Sequence, residues 1–338
     1  MTFRPPLVLL KPLGRLWSWL MEIRRENYEA GLFSSYRPPI PVVSIGNLTL
    51  GGNAKTPMSI FLANRFSALG LTPAVLSRGY RRRMTSSAPV VVSTGSGPLI
   101  GPETAGDEPF LIASLTSAAV VCAARRAQAA ACALRLGANV LILDDGFQHL
   151  ALARDLDILM LRSRAPFGNG LVIPAGRLRE NLNTHRRAGI LVAVGDALSD
   201  DLKIIASDRP LFLASVSPLG FRELQSGQLK TLDFVSQMKL GAFCGLAEPS
   251  SFYATLAKIG APPTDCLSLP DHASYGPKTL NKLQKFFRSQ SLDYLVTSAK
   301  DAVKIKPSLN LPILVLETEL SLDRPNDFFS SVIQQLGL

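Results

Sequence analysis

The sequence predicts a two-part α/β protein, a parallel-sheet domain joined by a two-stranded linker to a second, smaller α/β domain. Three observations carry this expectation. Short apolar runs alternate with helical stretches from Pro41 to Val194, the pattern of a parallel sheet covered on both faces. A glycine-rich loop separates the first of these runs from the helix after it. The alternation breaks near Leu211 and resumes at Leu240.

Taken in order, residues 42–45 read as a buried strand, followed by the loop and a helix over 58–69. Strands are expected at 73–76, 90–92, 118–122, 140–143, 158–161 and 190–194, with an alanine-rich helix ending near 136. Residues 211–216 and 230–234 read as a hairpin around Ser226-Gly227 and form the expected linker. A second block follows, with strands at 240–244, 294–296 and 313–316 and helices over 250–259, 277–289 and 327–336. The expected boundaries are 1–210, 211–235 and 236–338.

Composition narrows the partners. Charged residues make up 18% of 338, below the ~25% of an average soluble protein, and mean hydropathy is +0.20. Net charge is +10 with a pI near 9.7, which suits anionic partners such as phosphates, acidic lipid or nucleic acid. Aromatics reach only 7%, and neither an RNA-binding aromatic signature nor a zinc spacing occurs, so nucleic acid ranks last. Cys122, Cys132, Cys244 and Cys266 form no CxxC pair and read as free thiols of a reducing compartment. Three histidines argue against a multi-histidine metal site.

No stretch approaches the ~20 apolar residues of a spanning helix. Leu13, Leu16, Trp17, Leu20 and Ile23 nevertheless fall at helical spacing, with Arg15, Arg24 and Arg25 beside them. Periodicity by itself fits a helix packed on the core, whereas Trp17 and Trp19 fit a headgroup boundary.

The loop reads Gly46-Asn47-Leu48-Thr49-Leu50-Gly51-Gly52-Asn53-Ala54-Lys55-Thr56-Pro57. Between a strand and a helix, this is the context of a P-loop. Backbone N–H groups would converge on phosphate oxygens, Lys55 would reach the β- and γ-phosphates, and the Thr56 hydroxyl would face Mg²⁺. The G-x-x-x-x-G-K-[ST] pattern is not met, because Thr49 and Ala54 occupy its glycine positions. Asp144-Asp145-Gly146-Phe147-Gln148-His149 ends the 140–143 strand, where carboxylates are placed to hold Mg²⁺ or its waters. A structural Asp-Asp-Gly turn is the alternative.

These motifs, with Arg78-Gly79-Tyr80 and Gly106-Asp107-Glu108-Pro109, resemble the tetraacyldisaccharide 4′-kinase family, the lipid A 4′-kinases. The resemblance continues through Ile173-Pro174-Ala175-Gly176, Arg179-Glu180, Phe243-Cys244-Gly245-Leu246-Ala247, Pro270-Asp271-His272 and Lys300-Asp301-Ala302-Val303-Lys304. It covers nearly the whole chain and implies a P-loop NTPase domain followed by a smaller α/β domain. The implied activity is Mg²⁺-dependent transfer of the γ-phosphate of ATP to the 4′-hydroxyl of an acylated disaccharide 1-phosphate. The implied place is peripheral, on the cytoplasmic face of the bacterial inner membrane, against anionic lipid and with no stable protein partner.

By position, Asp107 matches the family's candidate general base and His272 its partner. Asp144 and Asp145 match the metal-side acids, and Arg179 and Glu180 match active-site residues. Gly51, Gly52, Asn53, Ala54, Lys55 and Thr56 match the nucleotide loop. Asn47, Tyr80, Gln148 and His149 match the substrate side of the cleft. With a lipid substrate, the N-terminal helix is expected in the headgroup layer. The chain departs from the family pattern at Ala54, at Ala273 and Gly276, at Ser298-Ala299, and at Arg177, where proline is frequent. Two rival readings are a P-loop enzyme of a soluble metabolite and a non-catalytic descendant.

Overall fold

The computed structural model describes residues 7–79, 88–206, 208–305 and 310–338. In chain order the elements are α1 (Leu7–Glu29), β1 (Val42–Gly46), α2 (Lys55–Ala68), β2 (Pro73–Ser77), β3 (Val90–Thr94), α3 (Pro102–Ala105), α4 (Asp107–Leu115), β4 (Ala119–Cys122), α5 (Arg126–Arg135), β5 (Val140–Asp144), β6 (Leu156–Arg162), β7 (Ile190–Val194) and α6 (Asp200–Ile205). The second half adds β8 (Leu211–Glu223), β9 (Leu229–Lys230), β10 (Leu240–Cys244), α7 (Pro249–Lys258), β11 (Asp265–Ser268), α8 (Pro277–Ser289), β12 (Tyr294–Ser298), α9 (Ala299–Ala302), β13 (Ile313–Leu322) and α10 (Pro325–Leu336).

One sheet runs through the molecule in the order β11-β10-β12-β13-β8-β7-β6-β1-β5-β2-β4-β3, with β9 paired to β8. Strands β1, β2, β4 and β5 are buried along their whole length, which is why they read as unbroken apolar runs. Their pairings with one another and with β6 and β7 are parallel. The edge strand β3 departs from the expected parallel sheet and pairs antiparallel with β4. An edge position tolerates the reversal.

The expected hairpin around Ser226-Gly227 forms but is short, with β8 paired to β9 only at Phe221↔Lys230 and Arg222↔Leu229. Beyond the two residues of β9, the stretch expected to form the second strand winds into a 3₁₀ turn at Leu232–Val235. The long partner of β8 is β13, antiparallel from Leu314↔Glu223 to Leu322↔Ala214, with a bulge at Glu317/Thr318. Both strands run well past their expected ends, because each extends beyond one half of the sheet and finds its neighbour in the other. Strand β13 carries the chain back, so α10 packs on the first half rather than on the second, where 236–338 was expected to lie. Phe328, Phe329, Val332 and Leu336 share a core with Phe66, Leu62 and Phe212. Strand β11 and helices α3, α4 and α6 were not expected. The first is mostly exposed at a sheet edge, and the others are too short for a periodic signal.

Helix α1 holds its apolar face outward. Leu13, Leu16, Trp17, Trp19 and Leu20 are all exposed, with Leu16 at 51% and Trp19 at 57%. It touches the body at Gly14, where an added Cβ would lie 2.8 Å from the Val172 carbonyl oxygen. No helix among the described residues is long and apolar enough to cross a membrane.

Candidate active site

The glycine-rich loop is held from both sides. The Leu50 N–H donates to the Arg177 carbonyl at 2.7 Å, and the Arg179 N–H donates to the Leu48 carbonyl at 2.7 Å. The Ile173–Glu180 motif is thus the second strand of a small ladder that grips the loop. Inside it, Asn47 is fully enclosed; its Nδ2 donates to the carbonyls of Thr49 (2.8 Å) and Gly51 (3.2 Å), and its Oδ1 accepts from Lys55 Nζ at 3.1 Å. Asn47 thereby braces the loop against Lys55. Asn53 is buried too, donating to Thr49 Oγ1 at 3.1 Å. Gly51 and Gly52 are exposed, and Thr56 is half-buried at the start of α2.

Ala54 shows why the P-loop pattern has glycine here. It sits at φ 51°, ψ 29°, the left-handed region that turns the loop into α2. The alanine keeps the glycine's backbone geometry at a strain on the order of 1 kcal/mol.

Lys55 and the strand-end acids meet. Lys55 Nζ lies 3.6 Å from Asp145 Oδ1. Arg179 Nη1 donates to both Asp145 oxygens at 2.9 and 3.1 Å and to Gln148 Oε1 at 3.3 Å. Gln148 Nε2 in turn donates to the Asn47 carbonyl at 3.0 Å. Burial pulls the Lys55 pKa below the usual lysine value despite Asp145. Burial alone would raise Asp145, but Lys55 and Arg179 outweigh it and hold that carboxylate below its usual range. Asp145 also occupies the left-handed region at φ 49°, turning β5 sharply under the loop. Gly146 follows because a Cβ there would lie 2.5 Å from the Leu143 side chain.

Asp144 behaves differently. It accepts from Ser59 Oγ at 2.9 Å and is pushed up to about 7, first by burial and then by facing Glu108 and Asp145. Glu180 is buried and lies 3.6 Å from Arg187, whose guanidinium stacks 4.3 Å over the Phe147 ring. Burial raises its pKa. Glu180 therefore sits behind the Arg179–Asp145 contact rather than in it. His149 is pulled down to about 4 by burial and by Arg126, Arg154, Arg24 and Arg78. Tyr80 lies outside the described residues.

The second half of the chain closes the cleft. His272 Nδ1 lies 3.0 Å from Asp107 Oδ2, across 165 residues of sequence. Asp107 opens α4 after Gly106 (φ 92°), and His272 holds φ 58°, so turns on both sides aim the pair. Burial would raise Asp107, yet the His272 hydrogen bond and Lys304 hold it below its usual value. Ser59, Glu108, Lys300 and Lys304 were not given roles by sequence reasoning. Glu108 and the two lysines lay in motifs already recognised, but only folding shows that they face one another.

With this geometry in view, comparison with known proteins is decisive. The model of the tetraacyldisaccharide-1-P 4′-kinase family matches residues 6–337. The chain belongs to this family. Tetraacyldisaccharide 4′-kinase of Syntrophus aciditrophicus is 35% identical over 98% of this chain and 94% of its own. That of Syntrophotalea carbinolica is 37% identical over 93% and 87%. A crystal structure of LpxK from Aquifex aeolicus in complex with ATP matches 96% of this chain and 98% of its own, with a TM-score of 0.79 at 28% identity. The chain carries Lys55, the adjacent Asp144 and Asp145, and the Asp107–His272 contact, with Ala54 before the lysine where the P-loop pattern has glycine.

Proposed function

We infer that this protein transfers the γ-phosphate of ATP to the 4′-hydroxyl of a tetraacyldisaccharide 1-phosphate, a lipid A precursor. The observation that carries the reading is the convergence of Lys55, Asp145 and Arg179 at one loop, beside the buried Asp107–His272 pair. Phosphoryl transfer needs positioning and charge stabilisation more than covalent chemistry. Backbone N–H groups of Gly51 to Thr56 would hold the phosphates, and Lys55 would follow the charge on the β–γ bridge. Arg179, already beside Asp145, would steady the transferring group. Asp107 would accept the proton of the sugar hydroxyl late in the transfer, with His272 orienting it. Gln148, His149 and Tyr80 are assigned to the acceptor side. In this scheme residues up to 210 hold the nucleotide, the strands after 211 form the connection, and His272 comes from the smaller unit within 236–338.

The donor set fits a magnesium ion. Asp144 faces two further carboxylates, Glu108 and Asp145, a concentration of negative charge that a cation would relieve. Magnesium takes one or two carboxylates and leaves its other positions to water and phosphate. Thr56, Asp144 and Asp145 would hold the ion, which when bound neutralises charge on the β- and γ-phosphates.

The outward apolar face of α1 supports contact with the headgroup layer of the inner membrane. Trp17 Nε1 donates to the Arg179 carbonyl at 3.0 Å, which links that face directly to the catalytic segment. The test is transfer of labelled γ-phosphate from ATP to the disaccharide 1-phosphate in mixed micelles, with Asp107→Asn alongside. Wild-type transfer with a loss of about 10²–10⁴-fold in the variant is expected. No transfer by folded wild-type protein in the presence of magnesium overturns the reading.

A further inference from the structure

Two lysines that carry no assigned role lie against the acid–histidine pair. Lys304 Nζ is 3.3 Å from Asp107 Oδ2 and 3.1 Å from Asp301 Oδ1, and its side chain is 10% exposed. Asp301 is fully buried, and its Oδ2 accepts from the Gly245 N–H at 2.9 Å and from Ser298 Oγ at 2.8 Å. One turn earlier on the same segment, Lys300 Nζ is 3.6 Å from Glu108 Oε1 and 3.3 Å from His272 Nε2. Consecutive acids that open α4 thus meet lysines spaced i, i+4 on α9 and its continuation, so the two helix ends interlock by charge.

The polarity of these contacts is fixed by chemistry. An ammonium has only donors, so the imidazole nitrogen that faces it must accept. Nε2 faces Lys300 at 3.3 Å, and the competing Asp271 carboxylate is more distant at 3.8 Å. The ring proton therefore belongs on Nδ1, which donates to Asp107 Oδ2. Lys304 approaches that same oxygen. Oδ2 is thereby committed to two cationic or N–H partners, and Oδ1 is the oxygen through which the aspartate takes a proton.

We propose that Lys300 and Lys304 are positioning residues for the phosphoryl transfer: Lys304 anchors Asp107 as a carboxylate through Oδ2, and Lys300 sets the tautomer of His272 that does the same. The pair acts through Asp107 and His272, so the proposal rests on Asp107 being the base. Besides the two lysines, the charged or titratable groups around Asp107 are His272, Glu108, Asp271, Asp301 and Tyr275, whose ring lies 5.4 Å from Lys304 Nζ. Removing the Lys304 charge leaves only the His272 contact and the more distant Lys300 to offset these carboxylates and the phenol, and the protonated form of Asp107 gains.

The experiment is steady-state transfer by wild type and by Lys304→Met, Lys304→Arg, Lys300→Met and Asp107→Asn, each across pH. In Lys304→Met, kcat is expected to fall roughly tenfold or more, less than the about 10²–10⁴ of a lost general base. KM for ATP should stay within twofold, and the acidic limb of kcat should move to higher pH, because a base that is harder to ionise needs less acid solution. Lys304→Arg should restore most of the rate and return the limb. Lys300 is more exposed than Lys304 and its variant tests the idea if Lys304→Met does not fold; it should lower kcat without altering the melting temperature. Normal rate and an unmoved limb in both folded methionine variants, with Asp107→Asn inactive, would overturn the positioning role alone. Full activity in Asp107→Asn would instead remove the base assignment underneath it.

Discussion

Two adjacent aspartates at the end of β5 have opposite electrostatics. Asp145 stays ionised against Lys55 and Arg179, while Asp144 is pushed to about 7 by burial and by its acidic neighbours Glu108 and Asp145. The sequence DD could not tell them apart; the environment of each does. A raised folded pKa means the native state binds a proton that the unfolded chain releases near the ordinary value of 3.8. Stability from this group is complete below that value and is lost as pH rises through about 7. Asp144→Asn removes the titration and keeps an oxygen for Ser59. Without nucleotide, the variant should melt a few degrees above wild type at pH 8, and the gap should shrink toward pH 5, as scanning calorimetry can read. Phosphate transfer should fall at both pH values, because Asp144 is one of the residues proposed to hold magnesium.

At the scale of the element, α1 was ambiguous in sequence and is not in the fold. An amphipathic stripe says that one face wants an apolar neighbour, not which neighbour. Here the helix rests on the body at Gly14 and leaves Leu13, Leu16, Trp17 and Leu20 exposed beside Ile173 and Pro174. Burying each leucine in lipid is worth about 1.5–3 kcal/mol. The double substitution Leu16→Glu/Leu20→Glu should therefore weaken co-sedimentation with anionic phospholipid vesicles at least tenfold. The melting temperature should hold, since neither side chain is buried. Unchanged sedimentation would exclude this face as the membrane contact. The loop element shows the converse case. Its glycines and Lys55-Thr56 were legible as a phosphate cradle, yet its brace, the 177–179 segment, lies far along the chain and was seen only as a separate motif.

For the whole molecule, the sheet is continuous while the chemistry is divided. The long β8–β13 pair carries hydrogen bonding from one half to the other, reinforced by Arg222 Nε donating to Glu317 Oε1 at 2.7 Å. A second link sits at the mouth of the loop. Glu248, just before α7, accepts from Arg162 Nη2 at 2.9 Å and Arg177 Nη2 at 3.2 Å, and an added Cβ on Gly51 would lie 3.1 Å from Arg177. These guanidinia flank the backbone expected to meet phosphate, so the carboxylate competes with nucleotide for them. Exposed ion pairs are worth about 0.2–1 kcal/mol, so Glu248→Gln should lower KM for ATP by up to about fivefold. The gain should be largest at low salt. A KM that rises would mean the link aids nucleotide binding instead.

The sequence by itself determined the parallel core, the glycine-rich loop, the strand-end acids and the family, because buried parallel strands and short glycine-rich motifs are local patterns. It also supplied Asp107 and His272, through a resemblance rather than through spacing. Only the tertiary structure decided that β8 pairs with β13, that α10 returns to the first core, that Asn47 braces the loop, and that Lys300 and Lys304 face Asp107 and His272. These are contacts between segments far apart in the chain. Their partners are chosen by which strand edge, apolar face or unpaired charge is left over once the local elements have formed, and no local pattern encodes that choice.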